Sequence, residues 1–129
     1  MRPRLALSIG AVFYILLGVP YVLAPDQMLS AFGLGTPSEA LVTARDSGVL
    51  LIGVGIIDWL ARDAVGAPLR GLLWGNIFIW AAAMVVNGWE IATGILPTTS
   101  LGGLVLYAVL VIVFALALRR PKGDIHPAG

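Results

Sequence analysis

Residues 41–62, LVTARDSGVLLIGVGIIDWLAR, decide how this chain must fold. They are apolar for the length of a bilayer crossing yet carry Arg45, Asp46 and Asp58. A charge at bilayer depth costs roughly 3 kcal/mol or more unless it is paired or faces a polar cavity. Other segments must therefore answer these charges, and the chain is expected to form a bundle around them.

Composition points the same way. Of 129 residues, 59% are hydrophobic and 12% charged, and the mean hydropathy is +0.96, well above the usage of soluble domains. An all-α integral membrane protein with four transmembrane helices is the expected fold class. Cysteine is absent, which rules out disulfides, thiolate metal sites and CxxC redox pairs. The single histidine, His126, lies in the polar tail. A net charge of +1 gives no reason to expect a nucleic-acid partner, and no motif for a metal or a resident cofactor is present.

On the N-terminal side of that stretch, the first span covers about residues 5–24, after Arg2 and Arg4. Val22-Leu23-Ala24 would suit a signal peptidase, but an apolar run of about 20 residues is span length rather than a short signal core. Gly10, Tyr14, Leu17 and Tyr21 fall on one helical stripe. A short turn or interfacial helix follows, with Asp26 as cap, and Gly33 and Gly35 break it. Thr36-Pro37-Ser38-Glu39 reads as a capping box that starts the second helix near Pro37. That helix is expected to run to about Val65, with Gly66 as a left-handed cap and Pro68 opening the third. The third, to about Thr93, carries Asn76, Trp80, Ala83, Asn87 and Glu90 on one face, with Gly94 and Pro97 after it. The fourth covers about 99–118. The chain thus reads as one four-helix membrane domain, 1–120, with spans at about 5–24, 41–62, 71–93 and 101–118, and a tail at 121–129.

Arg2, Arg4, Arg62, Arg70, Arg119, Arg120 and Lys122 all fall on the side shared by both chain ends and the middle loop, and the other two loops have no Lys or Arg. By the positive-inside rule both termini are cytoplasmic. With that topology, Arg45 and Asp46 lie level with Asn87 and Glu90, and Tyr21 and Tyr107 reach the same layer. Tyr21, Arg45, Trp80, Asn87 and Tyr107 are the expected ligand contacts in an outer-half pocket. Asp46 and Glu90 are the acid and base if the protein is an enzyme. The alternative is a structural ion pair of Arg45 with Glu90 or Asp46 that binds nothing. Near the inner end a smaller layer holds Asp58 and Asn76, but Asp58 also sits four residues before Arg62 and reads mostly as a structural intrahelical ion pair with it. Gly48 and Gly55 on one side of the second helix, or Gly53 on the other, are expected to pack it against the third. Trp74 and Trp89 suit interfacial belts.

Gly10, Phe13, Gly18 and Pro25, followed by Ala44-Arg45-Asp46-Ser47-Gly48-Val49-Leu50-Leu51-Ile52-Gly53-Val54-Gly55, resemble the small four-helix bacterial membrane proteins of the DoxX-like superfamily over residues 5–118. The resemblance implies the bacterial cytoplasmic membrane and an accessory subunit of quinone-linked or redox complexes. Any redox role would then belong to a partner or a diffusing quinone. Three function classes follow. The first binds a lipophilic molecule, quinone- or isoprenoid-like, alone or as an accessory subunit. The second is a membrane enzyme of isomerase, cyclase or epoxide hydrolase type. The third is a small multidrug-type exporter, which normally has an acid in its first span, where this chain has none. The expected partners are membrane lipid, a lipophilic small molecule, and a second copy or another membrane subunit.

Overall fold

The computed structural model describes residues 2–119, and every described secondary-structure element is helical. The expectations for Arg120, Pro121, Lys122, His126 and the tail at 121–129 lie outside the described residues. The helices are α1 (Pro3–Leu23), α2 (Pro25–Ala31), α3 (Ser38–Leu60), α4 (Gly66–Ala92) and α5 (Leu101–Leu118), with a 3-10 turn at Thr98–Ser100 before α5. Four segments are long and apolar enough to cross a membrane: Pro3–Leu23, Ser38–Leu60, Gly66–Ala92 and Thr98–Leu118. α2 is a fifth helix, too short to span.

Helix ends follow local chemistry, and several differ from expectation: Ala24 rather than Asp26 is the N-cap of α2, and α4 starts at Gly66 rather than Pro68. The capping box does not form. Pro37 is extended and is itself the N-cap, with no side-chain cap bond, so α3 begins at Ser38. α3 also stops at Leu60 rather than near Val65. The Trp59 carbonyl accepts from both the Arg62 backbone N–H and Arg62 Nη1, which satisfies a terminal carbonyl and turns the chain away. At the opposite end of the bundle, Gly33 (φ +72) and Gly94 (φ +82) are left-handed. Each closes a helix with a Schellman-type bond, from Leu34 N to Leu29 O and from Ile95 N to Glu90 O.

Packing is paired: α1 lies mainly against α3, and α4 against α5. The α1–α3 seam is made of backbone. A Cβ placed on Gly18 would come 2.8 Å from the Gly48 carbonyl oxygen, one on Gly48 would come 2.7 Å from the Gly18 oxygen, and one on Gly55 would come 3.0 Å from that of Ala11. Glycine is required there because the helices touch main chain to main chain. The Gly48–Gly55 face therefore packs on α1, not on α4 as expected from chain order, and Gly53 meets no neighbour within 4 Å. The core joins the two pairs through Leu7 and Tyr14 of α1, Leu69, Leu73 and Trp80 of α4, and Leu110 and Phe114 of α5. One end of the bundle is tied by an ion pair between Arg4 Nη1 and Asp63 Oδ1 at 2.8 Å. The other end is covered by α2.

Candidate functional site

α3 and α4 are consecutive in the chain, yet their backbones scarcely meet, and the space between them is a cavity of about 910 Å³. α1 forms its floor through Tyr14, Leu17 and Tyr21, and α2 with its following turn covers its end through Leu29, Phe32 and Leu34. α3 contributes Glu39, Thr43, Ser47 and aliphatic residues down to Val54; α4 contributes Ile79, Trp80, Ala83, Asn87 and Glu90; α5 contributes Tyr107. Five helices thus line one mostly apolar chamber with a few polar groups, the usual build of a small-molecule site.

Of the expected ligand contacts, Tyr21, Trp80, Asn87 and Tyr107 line this cavity, as does Glu90. Arg45 and Asp46 do not. Both are exposed on the outside of α3, just past buried Ala44. A step of one residue turns a helical side chain by about 100°, so with Gly48 on the α1 seam and Ala44 buried at the cavity, Arg45 is left outside. The expected Arg45–Glu90 and Arg45–Asp46 pairs are absent among the described residues, where the ion pair present is Arg4–Asp63. Asp46 and Glu90 are not brought together as an acid–base couple.

The Asp58–Arg62 pair is corrected as well. Since α3 ends at Leu60, Arg62 lies off the helix and the four-residue spacing does not put the two side chains on one face. Arg62 instead lies 4.3 Å above the Trp59 ring, and Asp58, 1% exposed, points inward. Asp58 Oδ1 accepts from Asn76 Nδ2 at 3.1 Å, and the same amide donates to Leu72 O at 2.9 Å. A smaller cavity of about 540 Å³ lies beside them and shares Val54 and Ile79 with the larger one. The α3–α4 gap therefore extends along most of the bundle, narrowed at Val54 and Ile79 and bridged by Asp58–Asn76.

The aromatic wall is compact. Trp80 stacks on Tyr14 with ring centroids 4.7 Å apart and is tilted against Tyr107 at 5.6 Å. Trp80 is 2% exposed, whereas Trp74 and Trp89 face outward, as interfacial residues would. The polar lining residues of α3, Glu39, Thr43 and Ser47, escape the sequence-based expectation. Their signal is nonetheless present, since Glu39, Thr43 and Ser47 recur every fourth residue, a polar stripe on one face of α3. The hydroxyl of Thr43 donates to Glu39 O at 3.0 Å and that of Ser47 to Thr43 O at 2.9 Å. Each thus gives its proton to its own helix and presents lone pairs to the cavity.

Among the described residues no group of His, Cys, Asp and Glu is arranged to hold a metal ion. Compared with known proteins, this chain matches no family model, no curated protein and no solved structure, so its resemblance to the DoxX-like superfamily rests on the residues quoted for it.

Proposed function

We propose that this chain is an integral membrane protein, with both ends on the cytoplasmic side, that binds a lipophilic small molecule in the cavity between α3 and α4. The observation that carries the reading is the cavity itself: about 910 Å³, toward the upper end of small-molecule sites, inside a bundle whose α1–α3 seam is packed backbone to backbone. Four spanning-length apolar helices and large exposed aliphatic residues along them, such as Leu16, Val49, Val85 and Ile112, support insertion. Arg4 and Arg62 cluster with Asp63 at one end, which supports that end as cytoplasmic. Reporter fusions at residues 66 and 97 test the orientation: a periplasmic signal at the first or a cytoplasmic one at the second defeats it.

The binding reading is tested by filling the space. Ala83 lines the cavity and carries no polar group. Ala83→Trp should abolish retention of lipophilic molecules that co-purify with the protein in mild detergent, at a thermal stability close to wild type. A folded Ala83→Trp protein that retains the same molecules would end this reading.

Self-association belongs to the same proposal. Adjacent Arg45 and Asp46 are exposed on α3 at spanning depth with no ion-pair partner among the described residues. A second copy related by a two-fold axis would place each Arg45 against the other Asp46. Native mass spectrometry from mild detergent should show dimers that Arg45→Glu weakens and Arg45→Glu with Asp46→Arg restores.

A further inference from the structure

The charge of the cavity says more than its size. Glu39 and Glu90 are its charged lining residues, and no Lys, Arg or His is among the described residues that line it. Glu90 stands in the last turn of α4, whose last turn has no basic residue. A carboxylate at that negative helix end is unfavourable unless a cation accompanies it. The chain's own candidate, Arg45, is turned to the outside of the bundle. Thr43 and Ser47 present lone pairs rather than protons, while Tyr14, Tyr21, Trp80, Asn87 and Tyr107 can donate, so the wall hydrogen-bonds in both senses but its fixed charge is negative only. Tyr21, Tyr107 and Phe32 add aromatic surface, whose faces attract cations.

We propose that the ligand of this cavity is a lipophilic monocation, an ammonium or phosphonium centre on an apolar body, held with its charge toward Glu90 and Glu39 and its body against the aromatic wall. The inference rests on the cavity-binding reading above and narrows its ligand class. A neutral quinone could accept from Tyr14, Trp80 or Asn87 but would leave both carboxylates without a counter-charge, and an anion would face them directly.

The test uses two probes of one shape and opposite charge, tetraphenylphosphonium and tetraphenylborate, with a neutral decyl-quinone as third. Binding to the full-length protein in mild detergent is read by isothermal titration, and Ala83→Trp supplies the background of micelle partitioning. Above that background, tetraphenylphosphonium should bind at least about tenfold more tightly than either other probe, a margin of about 1.4 kcal/mol. Glu90→Gln, close in shape, should remove most of that preference, and Glu39→Gln, nearer solvent, part of it. Should Glu90→Gln fail to fold, the Glu39→Gln shift carries the same prediction. If the quinone or the borate binds as tightly as the phosphonium and Ala83→Trp blocks it, the cationic inference is overturned while the cavity-binding reading stands. If Ala83→Trp changes the binding of no probe, both are overturned.

Discussion

α3 has two long flanks and they behave in opposite ways. Toward α1 it presents Gly48 and Gly55, and the two main chains touch. Toward α4 it presents Glu39, Thr43, Ser47 and Val54, and a cavity intervenes. The bridge on that second flank is Asp58 to Asn76, sealed by α1 where a Cβ on Gly10 would come 3.4 Å from Asp58 Oδ2 and 2.6 Å from Phe114 Cζ. The contrast separates two uses of polar residues in an apolar bundle. Where a third helix closes over them, they fix geometry. Where they stay exposed, as Glu39, Thr43 and Ser47 do, they face open space.

The largest effect is expected on the glycine flank. A side chain at Gly48 would collide with the Gly18 carbonyl and with Tyr21 and Val22 of α1, so Gly48→Leu should abolish the native bundle. Overpacking costs of about 1–3 kcal/mol assume flexible neighbours, and backbone cannot yield as they do. Gly53→Leu, which meets nothing within 4 Å, should leave the melting temperature in detergent nearly unchanged. Equal melting of the two variants would refute the seam and erase the difference between the flanks.

A smaller effect is expected at the bridge. Asn76→Leu removes the donor to a buried carboxylate and should destabilise by about 1–3 kcal/mol in reversible unfolding in detergent. Asp58→Leu combined with Asn76→Leu should recover much of that loss, because an apolar pair of similar volume leaves no buried polar group unmade. Failure of the double variant to recover would mean that Asp58 serves something other than Asn76. Smallest of all is the exposed Arg4–Asp63 pair, with 63% and 64% of its side chains accessible. Arg4→Gln should cost at most about 1 kcal/mol, less at high salt, and leave cavity binding untouched.

Much of the fold is legible in the order of residues alone. Helix periodicity locates the spans, and Gly33, Gly94 and Pro97 mark the breaks, because glycine and proline act through backbone chemistry that needs no tertiary context. The stripe of Asn76, Trp80, Ala83, Asn87 and Glu90 also holds together. Partner choice is not legible. Chain order favours α3 with α4, but the close approach at Gly18 and Gly48 needs small residues on both helices at matching depth, and α1 supplies them. The expectation for Arg45 fails for a related reason: whether Ala44 or Arg45 turns toward a neighbour depends on the rotation of α3 about its axis, and sequence does not say which.

Local chemistry therefore accounts for an all-helical chain with four segments of spanning length, the stops between them, and the polar stripes on the helices that follow α2, since each depends on residues within a few turns of one another. Three-dimensional packing had to decide that α1 lies against α3, that Arg45 and Asp46 face out, that Asp58 bonds Asn76 rather than Arg62, and that Glu90 stands in a cavity without a basic neighbour. Each of these depends on which helix fills the space beside α3. Contacts between residues far apart in the chain set that choice, because one position of rotation about a helix axis moves a side chain by about 100° and exchanges the inside of the bundle for its outside.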